Sequence, residues 1–334
     1  MADDRSAMAG QPVTMTAGAG PLAVQAHGLT KRYGQTTVLA GISLQVGRGT
    51  VAGLLGPNGA GTTTAVRILT TLLRPDGGRA EIAGFDVTRQ PARVRAAIGL
   101  VGQHAAVDQV LSGRQNLVLF GRLHGLRPAA ARRRAAELLA QFQLEDAAER
   151  PAAKYSGGLR RRLDLAASLI RSRAVLFLDE PTTGLDPHSR AEVWQAVRAL
   201  AAGGTAIVLT TQYLEEADQL AGQIIVLDAG RVIARGSPGE LKSALGADRI
   251  QVTVRDAADP GRTAELMTRV AGTAPRADAD RRCLDAPAPG RVRVLTELAP
   301  ALHDAGIAVE DITLRRPTLD EVYLNLTGHR GPAR

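Results

Sequence analysis

The nine residues Gly56-Pro57-Asn58-Gly59-Ala60-Gly61-Thr62-Thr63-Thr64 are spaced to hold a polyanion. Glycines at this density let backbone N–H groups close around phosphate oxygens, and a helix that follows aims its positive end at the same point. The pattern that does this is G-x-x-x-x-G-K-[ST]. Every position agrees except one: Thr62 stands where the lysine belongs. Thr63 falls where a hydroxyl ligates Mg²⁺, and Thr64 follows it. Arg67, one helical turn on, is the nearest cation that could replace the missing charge, although its spacing fits a surface position better.

Two further blocks carry chemistry. Leu176-Phe177-Leu178-Asp179-Glu180 ends an apolar run on two acids. Asp179 is placed to hold Mg²⁺, directly or through water, and Glu180 to orient or deprotonate an attacking water. A helix cap would explain one aspartate, but it explains the block DEPTTGLDP poorly. Tyr155-Ser156-Gly157-Gly158 then opens a helical stretch, so Ser156, Gly157 and Gly158 present N–H groups and a hydroxyl to an anion, or else form a plain capped helix start.

These blocks in this order resemble the ATP-binding subunits of ABC transporters over residues 22–246. The resemblance implies that ATP and Mg²⁺ bind together. It implies that Tyr33 stacks on adenine, and that Gln103 senses the metal and touches a membrane partner. It also implies that Asp186 communicates across a dimer and that Gln212 takes the position of a switch histidine at the γ-phosphate. Such subunits close head to tail, with Ser156 to Gly158 of one facing the phosphate loop of the other. TLLRPDGG, YSGGLRRRLDLAASL, LTTQYLEEADQLA and PTLDEVYLNLTG narrow the resemblance to the daunorubicin-resistance branch of drug exporters, which also carries glutamine at the switch.

The elements that must position these residues are legible in outline. Residues 22–46 alternate short apolar runs with turns, as antiparallel strands do. The runs VAGLL, AVLFLD and AIVLTT read as buried parallel strands, and the phosphate loop lies between the first of them and a helix. Ala135, Leu138, Leu139 and Phe142 keep helical spacing inside a helical region from 111 to 172, while Arg132, Arg133 and Arg134 read as a solvated face. QIIVLDAGRVIARG is a hairpin turning at 228–230. Beyond 246 the composition shifts: a strand at 250–254, a helix at 263–270, a strand at 292–295 and a helix at 298–305 flank an Ala-, Pro- and charge-rich segment at 273–290.

The expected fold is therefore α/β, a P-loop NTPase domain of ABC type with a mixed sheet core. It spans 22–246, with a helical subdomain at about 104–172, and is followed by a small α+β domain at 247–328. Residues 1–21 and 329–334 read as tails; the first has early acids and no apolar core, unlike a signal peptide. One cysteine, Cys283, excludes a disulfide framework within the chain. Aromatics at 3% argue against base stacking, so no nucleic-acid partner is expected despite a net charge of +8. A nucleic-acid cassette would also carry paired cassettes or a long coiled-coil insertion. No apolar run reaches the roughly 18 residues of a membrane span. The expected role is to drive a separate membrane-spanning permease from the cytoplasmic face by binding and hydrolysing ATP. The alternative is a nucleotide-binding regulatory or scaffold subunit, slow at hydrolysis because of Thr62. Residues 317–328 are expected to serve assembly with the exporter.

Overall fold

The structure is a computed structural model that describes residues 21–102, 106–244, 248–256, 259–278, 282–290 and 292–327. It opens with a long hairpin, β1 (Leu22–Tyr33) and β2 (Thr36–Gly47), whose inward positions are apolar and buried. Strand β3 (Val51–Leu55) is buried at all five positions. Helix α1 (Thr62–Leu69) follows it, then β4 (Gly77–Ile82), β5 (Phe85–Asp86), α2 (Pro91–Ala97) and β6 (Ile98–Val101). Three helices come next: α3 (Gly113–Leu123), α4 (Pro128–Gln141) and α5 (Gly157–Ser168). A return to the sheet gives β7 (Val175–Asp179), α6 (Pro187–Ala202), β8 (Ala206–Thr211), α7 (Leu214–Leu220), β9 (Gln223–Asp228), β10 (Arg231–Gly236) and α8 (Pro238–Ala244).

The first sheet runs β2-β1-β4-β5 and is antiparallel. The second runs β10-β9-β3-β8-β7-β6; five strands are parallel and β10 closes its edge as the antiparallel arm of the 228–231 hairpin. Alternation along β7 divides the core. Val175 and Phe177 face the cluster shared with β1, β2 and α1, whereas Leu176 and Leu178 face the one shared with α3 to α6. Ala135, Leu138, Leu139 and Phe142 are all buried in the latter, as their spacing requires. Arg132 and Arg133 are exposed, but Arg134 turns inward and donates to the Leu169 carbonyl at 3.0 Å.

The remaining elements are β11 (Arg249–Val254), α9 (Pro260–Ala271), β12 (Arg276–Asp278), β13 (Cys283–Pro287), α10 (Val292–Asp304), β14 (Val309–Arg315) and α11 (Leu319–Thr327). Their strands form an antiparallel sheet, β12-β13-β11-β14, with its own core. The strand expected at 292–295 is instead the first turn of α10. Val292 and Val294 alternate like a strand, but Val294, Leu298 and Leu302 bury one helix face at spacings of four. The strands lie where the Ala- and Pro-rich composition read as irregular, at β12 and β13. Helix α11 folds back: Leu319 and Val322 are buried against Leu55, Ala217, Ala221, Ile224, Val226 and Leu241.

Candidate functional site

The parallel strands place the loop and the acids at the carboxyl end of the sheet. Leu55, the last residue of β3, pairs with Thr211, and Asp179, the last of β7, pairs with Thr210. Gly56, Glu180 and Gln212 therefore each leave a neighbouring strand at its carboxyl end, where ligands of open α/β sheets bind.

Within the loop, Gly56 is half-buried, Pro57, Asn58 and Gly59 are exposed, and Ala60 is buried. The Ala60 amide donates to the Pro57 carbonyl at 2.9 Å, and the Ala60 carbonyl accepts from the Gly230 amide at 3.1 Å. Gly61 precedes α1 with φ 103°, in the left-handed region, and a Cβ there would lie 2.6 Å from Leu39 Cδ2. Only glycine meets both demands. No side chain caps α1 and its first turn holds no acid. The first-turn N–H groups of any helix have no intrahelical partner, so the start of α1 offers unpaired donors to an anion. Thr62, Thr63 and Thr64 are half-buried there, and Arg67 is exposed. Thr62 Cγ2 points back at Gly56, 3.4 Å from where a Cβ would sit. A threonine so turned brings no cation to the loop.

The acids are held individually. Asp179 Oδ1 accepts from Thr210 Oγ1 at 2.5 Å, leaving Oδ2 for another ligand. Glu180 has φ 48°, an uncommon conformation for a residue with a side chain. Its amide donates to the Thr210 carbonyl at 3.0 Å. Its Oε2 accepts from Thr183 Oγ1 at 3.1 Å and lies 3.5 Å from Gln212 Nε2. Two residues singled out from separate blocks thus meet, 32 positions apart in sequence.

Ser156 caps α5, accepting from the Leu159 amide at 3.2 Å. Gly158 packs so closely on α6 that a Cβ would lie 2.5 Å from Ser189 Oγ. Asp186 caps α6, accepting from the Ser189 amide at 3.0 Å and its hydroxyl at 2.7 Å. Those hydrogen bonds hold the Asp186 carboxyl below its ordinary range. Gly158 and Asp186 therefore share Ser189 as a neighbour. Among the described residues no hydrogen bond joins Ser156, Gly157 or Gly158 to the phosphate loop of the same chain. Tyr33, at the end of β1, is 47% exposed, with Lys31 Nζ 5.9 Å from its ring centre. Gln103 lies outside the described residues.

Sequence reading passed over four residues. Thr210 holds Asp179. Buried Glu216 on α7 accepts from Thr182 Oγ1 at 2.8 Å and Trp194 Nε1 at 3.1 Å. Arg161 and Asp164, three apart on α5, are buried as a pair. The only signal for that pair was their opposite charge at helical spacing.

A cleft of about 270 Å³ opens between the sheet and the helices, lined in part by Leu72, Leu100, Phe120 and His124. Leu72 and, farther along α3, Leu123 are largely exposed, at 64% and 71%. Burial and the nearby cations Arg173 and Arg171 lower the His124 pKa.

Fold and site together define a P-loop protein built to bind a nucleoside triphosphate. The model of the ABC transporter family matches residues 39–183. The daunorubicin resistance ATP-binding protein DrrA2 of Streptomyces coeruleorubidus is 61% identical over 308 residues, covering 92% of this chain and 96% of its own. The daunorubicin/doxorubicin resistance ATP-binding protein DrrA of Streptomyces peucetius is 50% identical over 92% of this chain and 93% of its own. Among solved structures, CbiO1 of Clostridium perfringens, part of an ABC transporter complex, superposes with a TM-score of 0.62 at 27% identity. It covers 66% of this chain and 90% of that one. The chain belongs to the ABC transporter family, among its ATP-binding subunits. Among the described residues no helix is long and apolar enough to cross a membrane.

Proposed function

We propose that this chain powers the export of a hydrophobic drug by a separate membrane permease, binding and hydrolysing ATP in a head-to-tail dimer at the cytoplasmic face. The observation that carries the reading is the convergence of the uncapped loop–helix start, Asp179, Glu180 and Gln212 at the carboxyl end of the sheet. The names of the relatives supply the cargo class. Residues 22–246 form the nucleotide-binding domain, 104–172 its helical subdomain, and 247–328 an accessory domain.

In this reading the amides of residues 56–64 grip the phosphates and Tyr33 packs on the base. Thr63, Gln103 and the Asp179 carboxylate would hold Mg²⁺; an all-oxygen donor set suits that ion. Bound there, Mg²⁺ would neutralise charge on the phosphate oxygens. Glu180 Oε2 orients the attacking water and accepts its proton, while Gln212, already beside that oxygen, reports on the γ-phosphate. Ser156, Gly157 and Gly158 face the partner subunit's nucleotide, and Asp186 lies at the contact between the two. The cleft lined by Leu72, Leu100 and Phe120 receives an apolar element of the permease. Thr62 bears on the rate of hydrolysis, whereas the retained acids bear on the class of reaction. The test is phosphate release by the chain co-purified with its permease: the parent should turn over and Glu180→Gln should not. No drug-stimulated turnover with the permease present would overturn the reading.

A further inference from the structure

Glu180 must hold a left-handed backbone with its carboxylate aimed, and such strain persists only where the surroundings over-determine it. Arg161 supplies much of that restraint. Its Nε donates to the Pro181 carbonyl at 2.7 Å and its Nη2 to the Asp179 carbonyl at 3.3 Å, so it grips the chain on both sides of Glu180. Its Nη1 donates to the Gly102 carbonyl, just after β6, at 2.7 Å. The same Nη1 lies 3.5 Å from Asp164 Oδ2, and Asp164 Oδ1 accepts from the Ala106 amide at 2.9 Å. Arg161 is 7% exposed and Asp164 4%. A buried arginine needs a counter-charge, and Asp164 provides it. The counter-charge alone does not explain three main-chain carbonyls drawn from two strand ends. Only a planar fork of fixed donors reaches such a set; a lysine ammonium does not.

We propose that Arg161 is a positioning residue for hydrolysis: it fixes the Glu180 backbone to α5, the helix that begins at Ser156-Gly157-Gly158. This rests on the ATPase reading above. Its consequence is a rigid link between the residues offered to the partner's nucleotide and the carboxylate serving this chain's own. A shift of α5 on dimer closure is passed to Glu180 through one guanidinium. Three of its four contacts are to main-chain carbonyls, so Arg161 acts through the peptide units it holds.

The test uses the full chain with its permease. Arg161→Met with Asp164→Leu removes both buried charges at once, so neither is stranded. Expected is a fall in kcat of about tenfold to a hundredfold, the scale of a small misplacement of a reacting group, with little change in ATP affinity. Arg161→Lys with Asp164 kept should regain thermal stability but not kcat. In parallel, amide hydrogen exchange across residues 177–184 should quicken in the double variant, while exchange across α1 stays as in the parent. Full kcat in the double variant, or full kcat in the lysine variant, overturns the proposal, because charge or bulk would then suffice. Unchanged exchange at 177–184 overturns it as well, even in a chain that fails to turn over. A parent without hydrolysis would instead sink the ATPase reading and leave the exchange result to decide this one.

Discussion

At the scale of single residues, Thr62 carries the sharpest prediction. A lysine there would place a full positive charge at the phosphates, where charge shifts in the transition state, and one such donor is worth on the order of 10²–10³ in rate. Thr62→Lys should therefore raise kcat at least about tenfold, with a smaller gain in ATP affinity, in a steady-state comparison that uses Glu180→Gln as the inactive control. Equal rates would mean that another group already supplies the charge; Arg67, exposed on α1, is the first to mutate. Glu216 carries a pH prediction. Burial raises its pKa against the opposing hydrogen bonds from Thr182 and Trp194 and the charge of Arg190, and among the described residues its buried Oε2 has no hydrogen-bond partner. The folded chain thus holds this proton more tightly than the unfolded one. That contribution to stability is full below the unfolded carboxyl range and is lost as pH rises through the raised value. Glu216→Gln keeps the acceptor for Thr182 and Trp194 but cannot ionise. Its melting temperature relative to the parent should climb as pH goes from acid to mildly alkaline; parallel melting curves would refute this. Asp164, also raised by burial, is common to both proteins and cancels in the difference. Asp179, Glu180 and Gln212 were legible in the sequence because each lies in a contiguous block. Thr210, Glu216 and Arg161 were not, because what defines them is a partner on another strand or helix.

At the scale of elements, the contact between α5 and α6 is set by Gly158 against Ser189. A Cβ on residue 158 would also lie 2.6 Å from Ser189 Cβ, so the helices must separate to admit it. Gly158→Ala should cost about 1–3 kcal/mol, the usual range for overpacking, seen as a lower urea midpoint. Adding Ser189→Gly removes the obstructing side chain and should recover part of that loss; no recovery would place the strain elsewhere. The buried strands β3, β7 and β8 could be read directly from apolar runs, since both faces are covered and no alternation is needed. Strands β12 and β13 could not. Their sequence is Ala-, Pro- and charge-rich, and Cys283–Pro287 is held in register by pairing with β11, about thirty residues earlier. Val292 misled for the opposite reason: a local period of two was overruled by the burial of Val294, Leu298 and Leu302 on one helix face.

At the scale of the whole molecule, α11 ties the last sheet to the nucleotide-binding core. Thr318 and Glu321 cap it reciprocally, the Thr318 amide donating to Glu321 Oε2 at 2.9 Å and the Glu321 amide to Thr318 Oγ1 at 3.3 Å. Arg315, ending β14, grips Glu321 with two hydrogen bonds, at 2.9 and 3.0 Å, and reaches Asp285 on β13 at 3.2 Å. From that anchorage Leu319 and Val322 drop into the cluster around Leu55, Ala217 and Ile224. Within the 317–328 block, Leu319 and Val322 are thus spent on the chain itself, while Leu324 and Leu326 remain 38% and 40% exposed. Removing everything after residue 246 would uncover that cluster, so a point substitution in the full chain is the cleaner probe. Leu319 is 4% exposed, and Leu319→Ala should cost about 2–5 kcal/mol, read from urea unfolding. ATP affinity, titrated well below the midpoint, should stay near that of the parent. The reason is geometric: every group proposed to touch the nucleotide lies on the loop, the strand ends or α5, and none on α11. A folded Leu319→Ala protein that binds ATP markedly more weakly would show instead that α11, through Leu55, sets the entry of β3 into the phosphate loop.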